Sequence, residues 1–133
     1  MSNKIQTAAR ILLGIVLLVF GLNGFLQFLP APELPEAAMS FFGALMATGY
    51  LLPLVKAIEV IVGVMLLANR FTPLALVLLA PISVNIVAFH LFLAPAGIGP
   101  AALVAVLNLY LLIANRDVFK SILATQRLSP AVA

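Results

Sequence analysis

Four runs of apolar residues, 9–29, 50–69, 74–93 and 101–115, occupy most of this 133-residue chain and limit what it can fold into. A helix of about 20 residues, rising about 1.5 Å per residue, crosses a hydrocarbon core about 30 Å thick. Folding in water could not hide these runs, because a domain this short buries only about two-thirds of the surface its unfolded chain exposes. Composition agrees: 65% of the residues are hydrophobic and 8% are charged, against about 25% charged in an ordinary soluble domain. A soluble enzyme, a nucleic-acid-binding domain and a disordered segment are thereby excluded. The expectation is an all-α fold, a four-helix transmembrane bundle forming one membrane domain over 1–133.

The breaks between the runs are Pro-, Gly- or charge-bearing. The first run, ARILLGIVLLVFGLNGFLQFL, stops at Pro30-Ala31-Pro32-Glu33-Leu34-Pro35. It is longer than a signal-peptide core and no small-x-small cleavage site follows it, so it reads as a retained first helix. Arg70-Phe71-Thr72-Pro73 makes a tight turn that folds the second and third runs into an antiparallel hairpin. The fourth run, the shortest, follows Ala94-Pro95-Ala96-Gly97-Ile98-Gly99-Pro100, with Pro100 suited to the first helical position. No internal repeat or low-complexity stretch is visible.

Two shorter segments flank the runs. In 37–49, Ala38, Phe41, Phe42 and Leu45 recur at i, i+3, i+4 and i+7, an apolar helical face on a segment too short to cross. It is expected as a short interfacial or re-entrant helix on the outer side. After the fourth run, Val118, Phe119, Ile122 and Leu123 oppose Asp117, Lys120 and Gln126, as in a C-terminal surface helix at the cytoplasmic face. The plainer reading of both is connecting structure that caps a bundle.

Charge placement sets an orientation. With the N-terminus inside, Lys4, Arg10, Arg70, Arg116, Lys120 and Arg127 fall on the cytoplasmic side, while the outer loops hold Glu33 and Glu36. The positive-inside rule then puts both termini in the cytoplasm, in a bacterial-type inner (plasma) membrane. The net charge of +3 thus faces anionic headgroups rather than nucleic acid.

Ionisable groups within a span cost about 2.5–3.5 kcal/mol each on insertion scales, so each needs a reason. Lys56 and Glu59 share one helical face at i, i+3 in the second run. Counting about 1.5 Å per residue puts Glu59 near the midplane and Lys56 about 5 Å outward. Asn85 and Asn108 fall within about 3 Å of the midplane, Asn23 about 6 Å outward, and Gln27 and His90 at about 10–12 Å. Every run therefore places a polar side chain in the outer half. Asn85 and His90 sit on different faces of one helix, and reach one site only with a bend such as Pro81 can supply.

One reading is an outward-facing polar pocket lined by Asn23, Gln27, Lys56, Glu59, Asn85, His90 and Asn108. It could hydrogen-bond a quinone carbonyl, relay a proton, or hold a small solute. The plainer reading is interhelical hydrogen bonding, worth about 0.6 kcal/mol per contact, with Lys56 snorkelling to the surface. Other chemistries have no residues to carry them. The chain has no cysteine for thiol exchange, and its one His and one intramembrane carboxylate make no metal site. Ser83 and His90, two turns apart, make no nucleophile–base pair. Gly14, Gly21, Gly24 and Gly63 read as close-packing positions between helices.

RILLGIVLLVFGLNGFLQFLP, ALMATGYLLPLVKAIEVIVGVMLLANRFTPLALVLLAP and NIVAFHLFLAP, in this order, resemble the DoxX family of small four-helix membrane proteins, from about Arg10 to Phe119. The resemblance implies a four-helix membrane bundle. It also implies kinship with subunits of quinone-linked sulfur-oxidising enzymes and with partners of oxidative-stress proteins at the inner membrane. The family has no agreed catalytic residues to transfer; Lys56, Glu59, Asn85 and His90 stand in the most family-like stretches. Any thiol chemistry of relatives is not carried over.

Three functions follow as expectations. The first is an accessory or anchoring subunit of a membrane redox system, touching quinone, with no covalently bound cofactor and with the electron chemistry on a membrane or peripheral redox partner. The second is a carrier for a proton or small solute, which four helices without inverted halves accommodate poorly. The third is a non-catalytic assembly or scaffold protein, alone or as a homo-oligomer in the lipid bilayer.

Overall fold

A computed structural model describes residues 3–125, so Gln126 and Arg127 lie outside the described residues. In chain order the helices are α1 (Asn3–Leu26), α2 (Glu36–Ala47), α3 (Leu51–Ala68), α4 (Thr72–Phe92), α5 (Ile98–Ala114) and α6 (Lys120–Leu123), and no strand occurs among the described residues. Two 3₁₀ turns, Pro95–Gly97 and Arg116–Phe119, lead into α5 and α6. Helices α1, α3 and α4, and α5 together with the turn before it, are long and apolar enough to cross a membrane.

The four spans form a ring in which α1 packs on α3, α3 on α4, α4 on α5 and α5 on α1. Each neighbour runs antiparallel to the next. The ring encloses Leu13, Leu17, Val62, Leu66, Leu76, Leu79, Val104 and Leu111. Residues just as apolar, such as Ile61, Val84, Phe92, Val106 and Leu109, point outward. An outer surface this greasy would aggregate in water; acyl chains solvate it.

Because lipid removes any hydrophobic drive between helices, close van der Waals contact must hold them. The crossing of α1 and α3 meets that need with backbone on backbone. A Cβ on Gly63 would lie 2.9 Å from the Leu18 nitrogen and 3.0 Å from the Gly14 carbonyl oxygen.

Helix ends depart from the expected limits for local reasons. Helix α1 is already formed at Asn3, the first described residue, and stops at Leu26, because Gln27 turns to φ 51° and the Asn23 side chain accepts the Leu29 N–H at 2.8 Å. Helix α3 ends with Asn69 in the left-handed region, φ 52°; its N–H donates to the Leu66 carbonyl and that of Arg70 to the Met65 carbonyl. This is a Schellman closure. Helix α5 starts at Ile98, so Pro100 is its third residue rather than its first. The first-turn N–H of a helix has no intrahelical partner, and Pro loses nothing there. With the preceding turn the span runs Pro95–Ala114, 20 residues, and is not short after all.

Helix α2 buries Ala38 and half-buries Phe41, Phe42 and Leu45. Phe41 and Phe42 pack against Phe89 near the end of α4, with ring centroids 5.6 and 5.0 Å away, the second edge to face. The C-terminal segment is less regular than its periodicity predicts. Of the four apolar residues of its expected face Phe119 alone reaches the core; Val118, Ile122 and Leu123 stay exposed, and Lys120 pairs with Asp117 at 2.8 Å.

Candidate functional site

Lys56 and Glu59 lie one turn apart on α3, and Lys56 Nζ donates to Glu59 Oε2 at 3.0 Å. The Glu59 side chain is 5% exposed and that of Lys56 29%. Helix α1 makes this burial feasible through what it lacks. A Cβ on Gly21 would meet Val60 Cγ2 at 2.8 Å and the Glu59 Cβ at 3.2 Å, and one on Gly24 would collide with the Lys56 stem. The glycine side of α1 thus shelters the pair. An ammonium carries three N–H donors, and Glu59 uses one. On the open side the others can meet a carbonyl oxygen or a water.

The remaining predicted residues do not gather around this pair. Asn23 is committed to closing α1, and Gln27 is exposed beyond it. His90 Nδ1–H donates to the Ala94 carbonyl at 3.1 Å, with its ring packed where a Cβ of Gly97 would stand. It fastens the α4–α5 connection. Asn108, buried, donates from Nδ2 to the Leu76 carbonyl at 3.2 Å and ties α5 to α4. That carbonyl lies next to Val77, whose carbonyl loses its usual donor because Pro81 has no N–H. Asn85 faces away from the bundle and is exposed. Among the described residues, no hydrogen bond joins these five side chains to the ion pair or to one another. The buried Ser83 hydroxyl finds no partner there either.

A cavity of about 230 Å³ opens instead at the opposite end of the ring, where Lys4, Arg70 and Arg116 directly follow the wall residues Asn3, Asn69 and Asn115 in sequence. Gln6, Thr7, Arg10, Asn69, Thr72 and Asn115 supply its polar wall, and none of the seven predicted residues lines it. Arg10 reaches across from α1 and donates through Nη1 to the carbonyls of Leu66 and Leu67 at the end of α3. Sequence reasoning counted Arg10 only as a topological charge and took Asn69 and Asn115 only as span ends. The readable signal was polar residues recurring where three runs begin or end. Among the described residues, no three His, Cys, Asp or Glu side chains come together as metal ligands.

Comparison with curated proteins and with solved structures finds no match to the chain. The DoxX family model matches residues 5–92, from the first turn of α1 to the end of α4. That stretch includes the glycine crossing, the Lys56–Glu59 pair and the α3–α4 hairpin, and excludes α5 with Asn108. Covering well over half of the sequence, and joined to a ring of membrane-spanning helices, the match places this multi-pass chain in the DoxX family.

Proposed function

We propose that this DoxX protein is an accessory or anchoring subunit of a quinone-linked redox system in an inner membrane, both termini cytoplasmic, with the electron chemistry on a partner. The observation that carries the reading is the Lys56–Glu59 pair, closed at Glu59 and open at Lys56. Stability alone does not call for it, since apolar residues of similar volume usually serve a buried position as well or better. A sheltered carboxylate that fixes a half-exposed ammonium makes a directed hydrogen-bond donor within the bilayer. A quinone carbonyl or a partner's acceptor suits that donor. The one-sided clustering of basic residues supports the orientation, and a reporter fused to either terminus tests it.

Native mass spectrometry of the protein extracted in mild detergent tests the function. The expected result is co-purification of quinone or of a stoichiometric redox partner with the wild type and its loss from Lys56→Leu/Glu59→Leu. Equal retention by a folded double variant reduces the pair to structure and leaves the scaffold reading. A second reading, a proton carrier, is favoured by the burial of Glu59 alone; proton uptake into proteoliposomes that vanishes in Glu59→Gln selects it.

A further inference from the structure

We propose that the cavity at the basic end of the bundle binds a phosphate group, supplied by an anionic phospholipid whose acyl chain runs beside α1. Arg10 is the one charged residue in its wall, and no carboxylate pairs with it among the described residues. Its bonds to Leu66 and Leu67 use Nη1. Nε and Nη2 remain as donors, and a guanidinium grips phosphate through two parallel N–H groups. Around it the wall offers further donors. Gln6 and Thr7 come from α1, while Asn69, whose carbonyl oxygen accepts the Thr72 hydroxyl, keeps its amide N–H groups free. Donors arriving from two sides, α1 and the end of α3, suit a tetrahedral anion better than a flat carboxylate. At about 230 Å³ the cavity is smaller than the roughly 300 Å³ at which drug-sized ligand sites begin.

A second, shallower groove points to the source of the phosphate. It shares Asn3 and Thr7 with the cavity and continues over Lys4, Ala8 and Ile11 along the outer face of α1, with mostly apolar walls. A headgroup in the cavity would lay its chain along Ala8 and Ile11, and Lys4 would add a cation at the lip. Choline on the same phosphate would bring its own positive charge against Arg10, so phosphatidylglycerol should bind better than phosphatidylcholine.

The test uses the delipidated full-length chain in mild detergent. Native mass spectrometry with phosphatidylglycerol or phosphatidylcholine reads lipid binding, and thermal melting in sodium phosphate against chloride at equal ionic strength reads the free anion. Preferential retention of phosphatidylglycerol, cut roughly tenfold or more in Arg10→Gln, is the expected result, the loss of a charge-assisted hydrogen bond being about that large. Arg10 also closes α3, so Gln6→Leu/Thr7→Val, which leaves that closure intact, decides the matter should Arg10→Gln not fold; several-fold weaker binding supports the site. Protection by phosphate without lipid, lost in the same variants, supports the site with a free anion as its occupant. Equal binding of both lipids with no response to phosphate overturns the proposal, as does wild-type binding by the folded Gln6→Leu/Thr7→Val variant. Because these residues are separate from Lys56 and Glu59, failure here leaves the quinone-linked reading untouched.

Discussion

Single residues in this bundle matter according to the company they keep. Lys56 covers a carboxylate that is almost fully enclosed, so its removal strands a charge. Lys56→Leu is expected to destabilise by up to the roughly 3 kcal/mol typical of an unpaired buried ion, while Lys56→Leu/Glu59→Leu comes out near neutral. Thermal melting in one detergent checks the ordering; a double variant less stable than the single one would contradict it. Asn108→Leu removes one interhelical hydrogen bond and is expected to cost about 0.6 kcal/mol. The sequence made the ion pair legible, because i, i+3 spacing on one helix is settled locally. It could not distinguish Asn108, turned inward, from Asn85, turned outward, at the same depth. In lipid the core and the surroundings are both apolar, so helices such as α4 carry no stripe to mark the inner face. The inward turn of Asn108 comes from an acceptor on another helix, the Leu76 carbonyl.

At the scale of elements, the spans themselves could be read from composition, while their ends and the way they cross depend on contacts that composition does not record. The glycines of α1 and α3 were readable as packing positions, but only the crossing shows that Gly63 has backbone on its far side while Gly43 of α2 has nothing within 4 Å. These two therefore respond oppositely. Gly63→Val cannot be relieved by a side-chain rotation and is expected to destabilise by about 1–3 kcal/mol, as overpacked cores do. Gly43→Ala meets open space and gains about 0.5–1 kcal/mol from helix propensity. Melting temperatures of both variants beside the wild type check the pair of signs. The basic-end cavity was less legible for a similar reason: its wall comes from residues at the ends of α1, α3, α4 and α5, and those ends meet only once the ring closes.

For the whole molecule, the exposed amide of Asn85 is the feature the ring leaves unresolved. Against acyl chains its donors and acceptor go unmet, a cost that hydrocarbon makes large. An amide carries both kinds of group, so two copies of Asn85 across a two-fold axis can satisfy each other. Self-association along the outer face of α4 is the arrangement this predicts, with Val84, 70% exposed and next in sequence, at its edge. The chain has no cysteine, so Val84→Cys installs the only thiol and cross-linking reports on that face alone. A cross-linked dimer is expected from membranes carrying Val84→Cys, falling several-fold when Asn85→Leu is added, because the leucine is at home in lipid and needs no partner. Ile61→Cys, on an exposed face of α3, serves as the control and should stay monomeric. Equal cross-linking with and without Asn85 would mean that α4 meets its neighbours by crowding, and that the amide hydrogen-bonds within its own helix.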